Sequence, residues 1–340
     1  MSSRKVIEDL KKIPKIGEKA ANALMKAGFN VKRLSTANPA EISRILGCSL
    51  REAKLVINGA RETFQGLVKP PLTANQYQEI LDKEIMLYKT DVNALDELLG
   101  GGFKSSSTAG LAGPQATGKT QICNHMLVQV TCKYKRDGVF IETELNTFSN
   151  PRLRQIAAAR GYKYDPSKVL VVPARRIRDV GMQFYQYEKV YEIAEAKGMD
   201  VGIIIVDSFT ALFQRKYTGR ELLPDRKQEL GRHLSYLEDL AKEWNALLLC
   251  TCQVIECPVS PMEARGMMSS KDVRVQFGTN YMVWGGHILR HTLGTWLSLV
   301  KVEKDIWKAI LFDSSEVPSG ECFFRITEKG IEDVKKKEIK

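Results

Sequence analysis

The chain has 340 residues and a mass of 38.3 kDa, which suits about two domains at ~100–200 residues each. With 44% hydrophobic, 27% charged and 8% aromatic residues it has the makeup of a folded globular protein, and no apolar run reaches the ~20 residues of a membrane span, so no membrane partner is expected. The 51 Lys and Arg against 40 Asp and Glu leave a formal charge of +11, a bias toward polyanionic partners.

That charge is uneven. Residues 1–69 hold 14 basic and 6 acidic side chains, +8 of the +11. The same stretch reads as short helices, Val6–Lys12, Glu18–Ala27, Pro39–Gly47 and Ser49–Phe64, parted by turn signals at Pro14, Gly17, Gly28 and Asn38-Pro39. An all-α domain over residues 1–65 is expected. Inside it, Ile13-Pro-Lys-Ile-Gly17-Glu-Lys-Ala-Ala21 has an apolar-x-Gly turn and small residues that let the next helix pack closely, the pattern of a helix-hairpin-helix. Such a turn offers backbone amides and lysines, here Lys15 and Lys19, to DNA phosphates without reading bases. The start, Met-Ser-Ser-Arg-Lys, lacks the apolar stretch of a secretory leader. The seven cysteines are scattered without Cys-x-x-Cys pairs, as reduced thiols of the cytosol or nucleus would be.

Pro70-Pro71 breaks the helical period, and residues 66–84 are read as a linker. Over residues 85–335 apolar runs alternate with helical stretches: Thr108–Ala112, Val139–Thr143, Val169–Val172, Val201–Val206, Leu247–Thr251, Trp296–Val300 and Ala309–Phe312. That alternation predicts an α/β domain with a mostly parallel central sheet flanked by helices, antiparallel toward its C-terminal end.

Gly113-Pro114-Gln115-Ala116-Thr117-Gly118-Lys119-Thr120 follows the first of these strands and opens the helix Gln121–Cys132. The spacing Gly-x4-Gly-Lys-Thr in that setting is a phosphate loop: amides wrap the phosphates, Lys119 reaches the terminal ones, and Thr120 offers a hydroxyl to magnesium. ATP and Mg2+ are the expected cofactors. The run Ile203-Ile-Ile-Val-Asp207 ends an apolar strand in an acid, where the metal's water shell would offset the cost of burial. Glu142 and Glu144 close another strand, two residues apart and so on one side of it; Glu144, the farther out, is the candidate base. Gln253, just past Leu247–Thr251, is placed to touch the terminal phosphate.

Two stretches point to DNA. Basic residues cluster around Tyr217 and Gly219, from Phe213-Gln-Arg215-Lys216 through Arg220 to Arg226, as a DNA-contacting loop or a solvated one. The connection Val254–Trp284 is long for a compact domain and mixes Arg265, Lys271 and Arg274 with Met, Phe, Tyr and Trp, which suits a loop that orders on single-stranded DNA.

These residues together with Leu95-Asp-Glu-Leu-Leu-Gly-Gly-Gly102, Tyr217-Thr-Gly-Arg220, Gly285-Gly-His-Ile-Leu-Arg-His291 and Ile326-Thr-Glu-Lys-Gly-Ile-Glu332 resemble, over nearly the whole chain, the RadA family of archaeal strand-exchange recombinases, relatives of RecA. The resemblance implies a RecA-like P-loop ATPase core behind the hairpin domain, and a DNA-dependent ATPase that assembles on single-stranded DNA and exchanges strands with a homologous duplex. Recombination mediators would be further partners, in an archaeal nucleoid or a eukaryotic nucleus. A regulatory paralogue that binds ATP and DNA without exchanging strands is the alternative. By the same likeness the loop through Gln121 binds nucleotide, Thr120 and Asp207 serve the metal, Arg152 stacks on adenine, and Gln253 and His291 sense the terminal phosphate. Asp313 and Pro318 would cap ATP across a subunit interface, with Arg220 and Arg226 facing DNA. The segment Pro71, Leu72 and Ala74 would dock on the next subunit in a filament or ring, although Pro71 stands where the family has Phe. Other departures are Leu145, which reads as an insertion, Cys252 for Asn, Trp296 for Arg, and Glu221 beside Arg220. They are expected to spare the ATP chemistry and to bear on assembly and DNA contact.

Overall fold

A computed structural model describes residues 3–67, 72–174, 180–256, 281–285 and 287–335. The chain divides into two compact units, Met1–Ile80 and Leu81–Lys340.

In the first unit, helices α1 (Ser3–Lys11), α2 (Glu18–Lys26), α3 (Val31–Ser35), α4 (Pro39–Leu46) and α5 (Leu50–Leu67) close over Leu10, Leu24, Leu34, Ile42 and Ile57, all buried. Polar residues start these helices. The Asn30 side chain accepts the Arg33 amide at 2.8 Å, and Asn38 accepts that of Ala40 at 2.9 Å ahead of Pro39. Ser49 and Glu52 cap each other reciprocally. One turn of helix, α3, was not among the expected elements.

Within residues 66–84, read as a linker, α5 runs on to Leu67 and a helix, α6 (Ala74–Glu84), takes up the second half. Thr73 and Gln76 cap its start, each side chain accepting the other's amide. None of its side chains is buried, so it carried no apolar stripe to betray it. Pro71 lies outside the described residues; Leu72 and Ala74 are exposed.

The second unit opens with β1 (Leu87–Tyr88), α7 (Asn93–Leu98) and β2 (Phe103–Lys104), the two strands pairing antiparallel. There follow β3 (Thr108–Ala112), α8 (Lys119–Val128), β4 (Asp137–Glu142), α9 (Asn150–Ala159), β5 (Val169–Val172), α10 (Val180–Lys197), β6 (Val201–Asp207), α11 (Ala211–Lys216), α12 (Leu223–Glu243) and β7 (Leu247–Cys252). α8 carries on through a π-helical turn over Gln129–Lys133. Last come β8 (Val254–Glu256), β9 (Tyr281–Val283), α13 (His287–Thr292), β10 (Thr295–Glu303), β11 (Ile306–Ser314), β12 (Gly320–Thr327) and β13 (Gly330–Asp333).

Nine of these strands form one sheet in the order β13-β12-β11-β10-β3-β7-β6-β4-β5. From β10 to β5 neighbours run parallel, and from β10 to β13 antiparallel. The period of two divides each buried strand between the two faces. Ile204 and Val206 pack with α10, α12 and α13, while Ile203 and Ile205 pack with α7, α8 and α9.

Two contacts fix this sheet. Trp296 of β10 sits opposite Gly110 of β3, fully buried; a Cβ at Gly110 would stand 2.5 Å from the indole. Trp296 is therefore a core residue, correcting the expectation that it bears on DNA or assembly. At the amino-terminal ends of the strands, the Arg136 guanidinium donates to Tyr88 Oη at 2.7 Å and to the Asn245, Val201 and Trp244 carbonyls at 2.6, 2.8 and 2.7 Å. It also pairs with Asp200 at 2.8 Å. Each of these donors has a partner, as a buried cation requires. Among the described residues no helix is long and apolar enough to cross a membrane.

Candidate active site

The carboxyl ends of β3, β4, β6 and β7 open on one cleft of about 1030 Å³, where ligands bind in open parallel sheets. The loop Gly113–Gly118 forms its floor between β3 and α8, whose first amides have no acceptor within the helix. Gly113 and Gly118 adopt φ of 156° and 90°. A Cβ on Gly113 would meet Leu299 O at 2.5 Å, so this bend requires glycine.

Lys119 Nζ donates to the carbonyls of Gly113 and Pro114 at 2.7 Å each, holding the ammonium across the loop. Burial lowers its pKa, partly offset by the charges of Asp207 and Glu144. Asp207, at the end of β6, accepts the Thr120 hydroxyl at 2.7 Å and the Thr251 hydroxyl at 2.5 Å. Burial pushes its carboxyl up, and these two hydrogen bonds pull it part of the way back. Among the described residues no three His, Cys, Asp or Glu side chains gather as a metal cage. A hydroxyl, a carboxylate and phosphate oxygens are the hard donors that magnesium takes, so the residues present fit it.

Glu144 lines the cleft and is hydrogen-bonded by the Gln253 side-chain amide. Burial, and then the charge of Asp207, raise its pKa against that hydrogen bond. The two strand-ending acids do not share a surface. β4 ends at Glu142, which is buried and accepts the Phe148 amide at 3.3 Å, and only Glu144 reaches the cleft. At the other end, Arg152 donates to Gln121 Oε1 at 2.9 Å, to Gln155 Oε1 at 2.6 Å and to the Thr327 carbonyl at 2.6 Å. Trp307 and Ile326 complete that wall.

The structure thus brings Gly113 to Gln121, Glu144, Arg152, Asp207 and Gln253 to one place. Asp313 and Pro318 do not line this cleft: Asp313 lies 3.7 Å from Arg290, and Pro318 is exposed. His291 belongs to α13, but its side chain, like that of Arg220, is outside the described part, as are Arg265, Lys271 and Arg274. Thr251, Ser208 and Arg215 also face the cleft and were missed as site residues. A threonine closing an apolar strand was the available signal for Thr251. Of the departures, Leu145 lines the cleft at 74% exposure, and Cys252 is buried at the end of β7.

Of the DNA candidates, Lys15 and Lys19 are exposed. Lys15 sits in the left-handed region at φ 70°, in a turn anchored by the buried Ile13 and Ile16. Tyr217 is instead buried, at 8% exposure. Arg226 does not project freely either: its guanidinium lies 4.7 Å from the centre of the Trp284 ring, and burial lowers its pKa. The two ends of the stretch Val254–Trp284 pair as the antiparallel strands β8 and β9. The Trp284 amide donates to the Gln253 carbonyl at 3.0 Å.

Sheet order and site together define a P-loop ATPase core. The Rad51 family model matches residues 81–334, and a SAM-like helix-hairpin-helix tandem matches residues 7–62. Over 340 residues, 98% of each chain, the protein is 30% identical to the DNA repair and recombination protein RadA of Metallosphaera sedula. The proteins of that name in Aeropyrum pernix and Methanococcus voltae are each 31% identical, over 97% and 96% of this chain and 98% and 99% of theirs. The chain belongs to the Rad51 family, as a divergent member. The sequence pattern pointed to one hairpin, at Ile13–Gly17; the matching family is a tandem, and α4 ends at Gly47, left-handed at φ 62°, ahead of α5.

Proposed function

We propose that this protein is a DNA-dependent ATPase that assembles on single-stranded DNA and exchanges strands with a homologous duplex in recombination and repair. The named role of its relatives supports this reading. The observation that carries it is the Glu144–Gln253 hydrogen bond, which puts a candidate base at the mouth of a phosphate-loop cleft.

In this reading the loop from Gly113 to Gln121 cradles the phosphates and Arg152 covers the base. Thr120 would hold magnesium directly and Asp207 through its water shell, and the ion would supply neutralisation of phosphate charge. Thr251 fixes Asp207 in rotation. Glu144 orients and deprotonates the attacking water. Gln253 bonds Glu144 by its side chain while its main chain holds Trp284 at the stem of the long loop, so rearrangement at the terminal phosphate is felt where DNA would bind. His291 joins it as sensor. Asp313 and Pro318 face the nucleotide of a neighbouring subunit, and Leu72 and Ala74, with Pro71, supply the contact between subunits. Arg220, Arg265, Lys271 and Arg274 contact single-stranded DNA, Lys15 and Lys19 duplex phosphates, and Arg226 steadies the loop through Trp284.

The test is ATP hydrolysis with and without single-stranded DNA, beside strand exchange between labelled oligonucleotides. Stimulated hydrolysis with exchange is expected. Stimulation without exchange would make the protein a regulatory paralogue, and hydrolysis indifferent to DNA would overturn both readings.

A further inference from the structure

The basic stretch behind Asp207 splits in the structure. Its Tyr217 turns into the core, and Arg215 turns into the nucleotide cleft beside Glu144 and Gln253. Arg215 lies in the last turn of α11, which is held by the buried Ala211, Leu212 and Phe213. Among the described residues the cleft is lined by three cations, Lys119, Arg152 and Arg215. Lys119 is engaged with the Gly113 and Pro114 carbonyls. Arg152 is engaged with Gln121, Gln155 and Thr327. Arg215 is exposed and has no hydrogen bond or ion pair among the described residues. It is close enough to Glu144 for its charge to favour the carboxylate.

A terminal phosphate within reach of Glu144 would meet two carboxylates, Glu144 and Asp207, at the end of the cleft away from Arg152. Lys119 and Arg215 are the cations beside these carboxylates, and of the two Lys119 is already held by loop carbonyls, which leaves Arg215 to meet the added charge of a terminal phosphate. We propose that Arg215 binds the terminal phosphate of ATP from within the same chain, distinguishing the triphosphate from the diphosphate and neutralising the charge that develops on hydrolysis. The inference rests on the reading of this cleft as an ATP site. It reassigns a side chain that sequence position alone groups with DNA contacts.

The experiment compares the full-length protein with Arg215→Ala and Arg215→Lys, titrating each with magnesium and either ADP or a non-hydrolysable ATP analogue. Affinity for the analogue should fall about tenfold in Arg215→Ala, as for loss of one charge-assisted hydrogen bond, with ADP affinity unchanged. Arg215→Lys should recover part of the loss. DNA-free kcat should drop by at least the same factor. Unchanged ADP affinity also certifies that the variant is folded. Equal changes for both nucleotides, no change for either, or a loss confined to single-stranded DNA affinity would each overturn the assignment. A parent protein that binds neither nucleotide would sink the ATP reading, and this one with it.

Discussion

Two places in the molecule present lysines of the kind phosphate attracts, and the two are built on opposite principles. In the cleft Lys119 is half-buried, held by two loop carbonyls, and faces carboxylates whose own ionisation burial opposes. At the hairpin Lys15 and Lys19 stand exposed on a turn whose apolar residues alone are buried. A charge in a low-dielectric site interacts strongly over short range and is little screened by salt, whereas exposed charges more than a Debye length apart, about 8–10 Å near physiological ionic strength, are largely screened. The cleft is suited to selecting one ligand in one orientation, and the hairpin to holding any duplex weakly.

The sharpest way to break this contrast is Glu144→Gln. Removing the proposed base but keeping shape and hydrogen bonding should slow hydrolysis about 10²- to 10⁴-fold while ATP affinity stays near that of the parent. Hydrolysis at the parent rate in a DNA-stimulated assay would instead point to Glu142. In the parent, burial and the neighbouring Asp207 place the Glu144 pKa above the ordinary range. Because the base works deprotonated, the acid limb of kcat/KM against pH should lie above the ~4.3 of a free glutamate. Lys119→Ala should come next, weakening ATP binding about a hundredfold as the phosphates lose a desolvated cation; calorimetric titration reads it directly.

The body beneath the cleft carries a cost that the hairpin lacks. His125 of α8 is fully buried, its Nε2 2.6 Å from the Thr90 carbonyl and its Nδ1 accepting the Ile331 amide at 3.3 Å. Burial, and then Arg160, lower its pKa to about 3. The unfolded chain takes up a proton near pH 6.5 and the folded one does not until near 3, so stability should fall as pH falls through that window. The slope is up to about 1.4 kcal/mol per pH unit. His125→Gln should flatten the fall in urea midpoint between about pH 7 and 5 even if it lowers the midpoint itself. The smallest effect belongs to the hairpin. Lys15→Ala with Lys19→Ala should reduce the slope of log affinity for duplex against log salt by about 0.9 for each phosphate left unneutralised, leaving nucleotide affinity alone. An unchanged slope would remove duplex binding from this turn.

Legibility followed the same divide between buried and exposed. Thr108–Ala112 was read with the bounds observed, because a strand paired on both edges and buried along its length becomes a short apolar run; Val169–Val172, at the sheet edge, was legible as four consecutive β-branched and aliphatic residues. β12 and β13 were missed, since half-buried residues blur their alternation, and α6 was missed because it buries nothing. The phosphate loop was legible as consecutive residues, whereas the Thr251–Asp207 bond spans neighbouring strands and Arg215 depends on which way a short helix turns. Tyr217 and Arg226 were misplaced for the same reason: sequence gives the chemistry of a side chain before it gives its direction.

Arg136 fastens together the amino-terminal ends of β4 and β6, the approach to β7, and β1. The cleft lies at the opposite, carboxyl end of β4, β6 and β7. The sheet is thus hinged like a book bound along one edge, with its pages free where they are read. Lesions at the binding, such as Arg136→Ala, strand the buried Tyr88 hydroxyl and several carbonyls and should act on how much folded protein a cell retains. Lesions at the open edge should act on how fast each surviving molecule turns over. Two classes of defect with the same loss of repair would then separate cleanly once activity is divided by abundance.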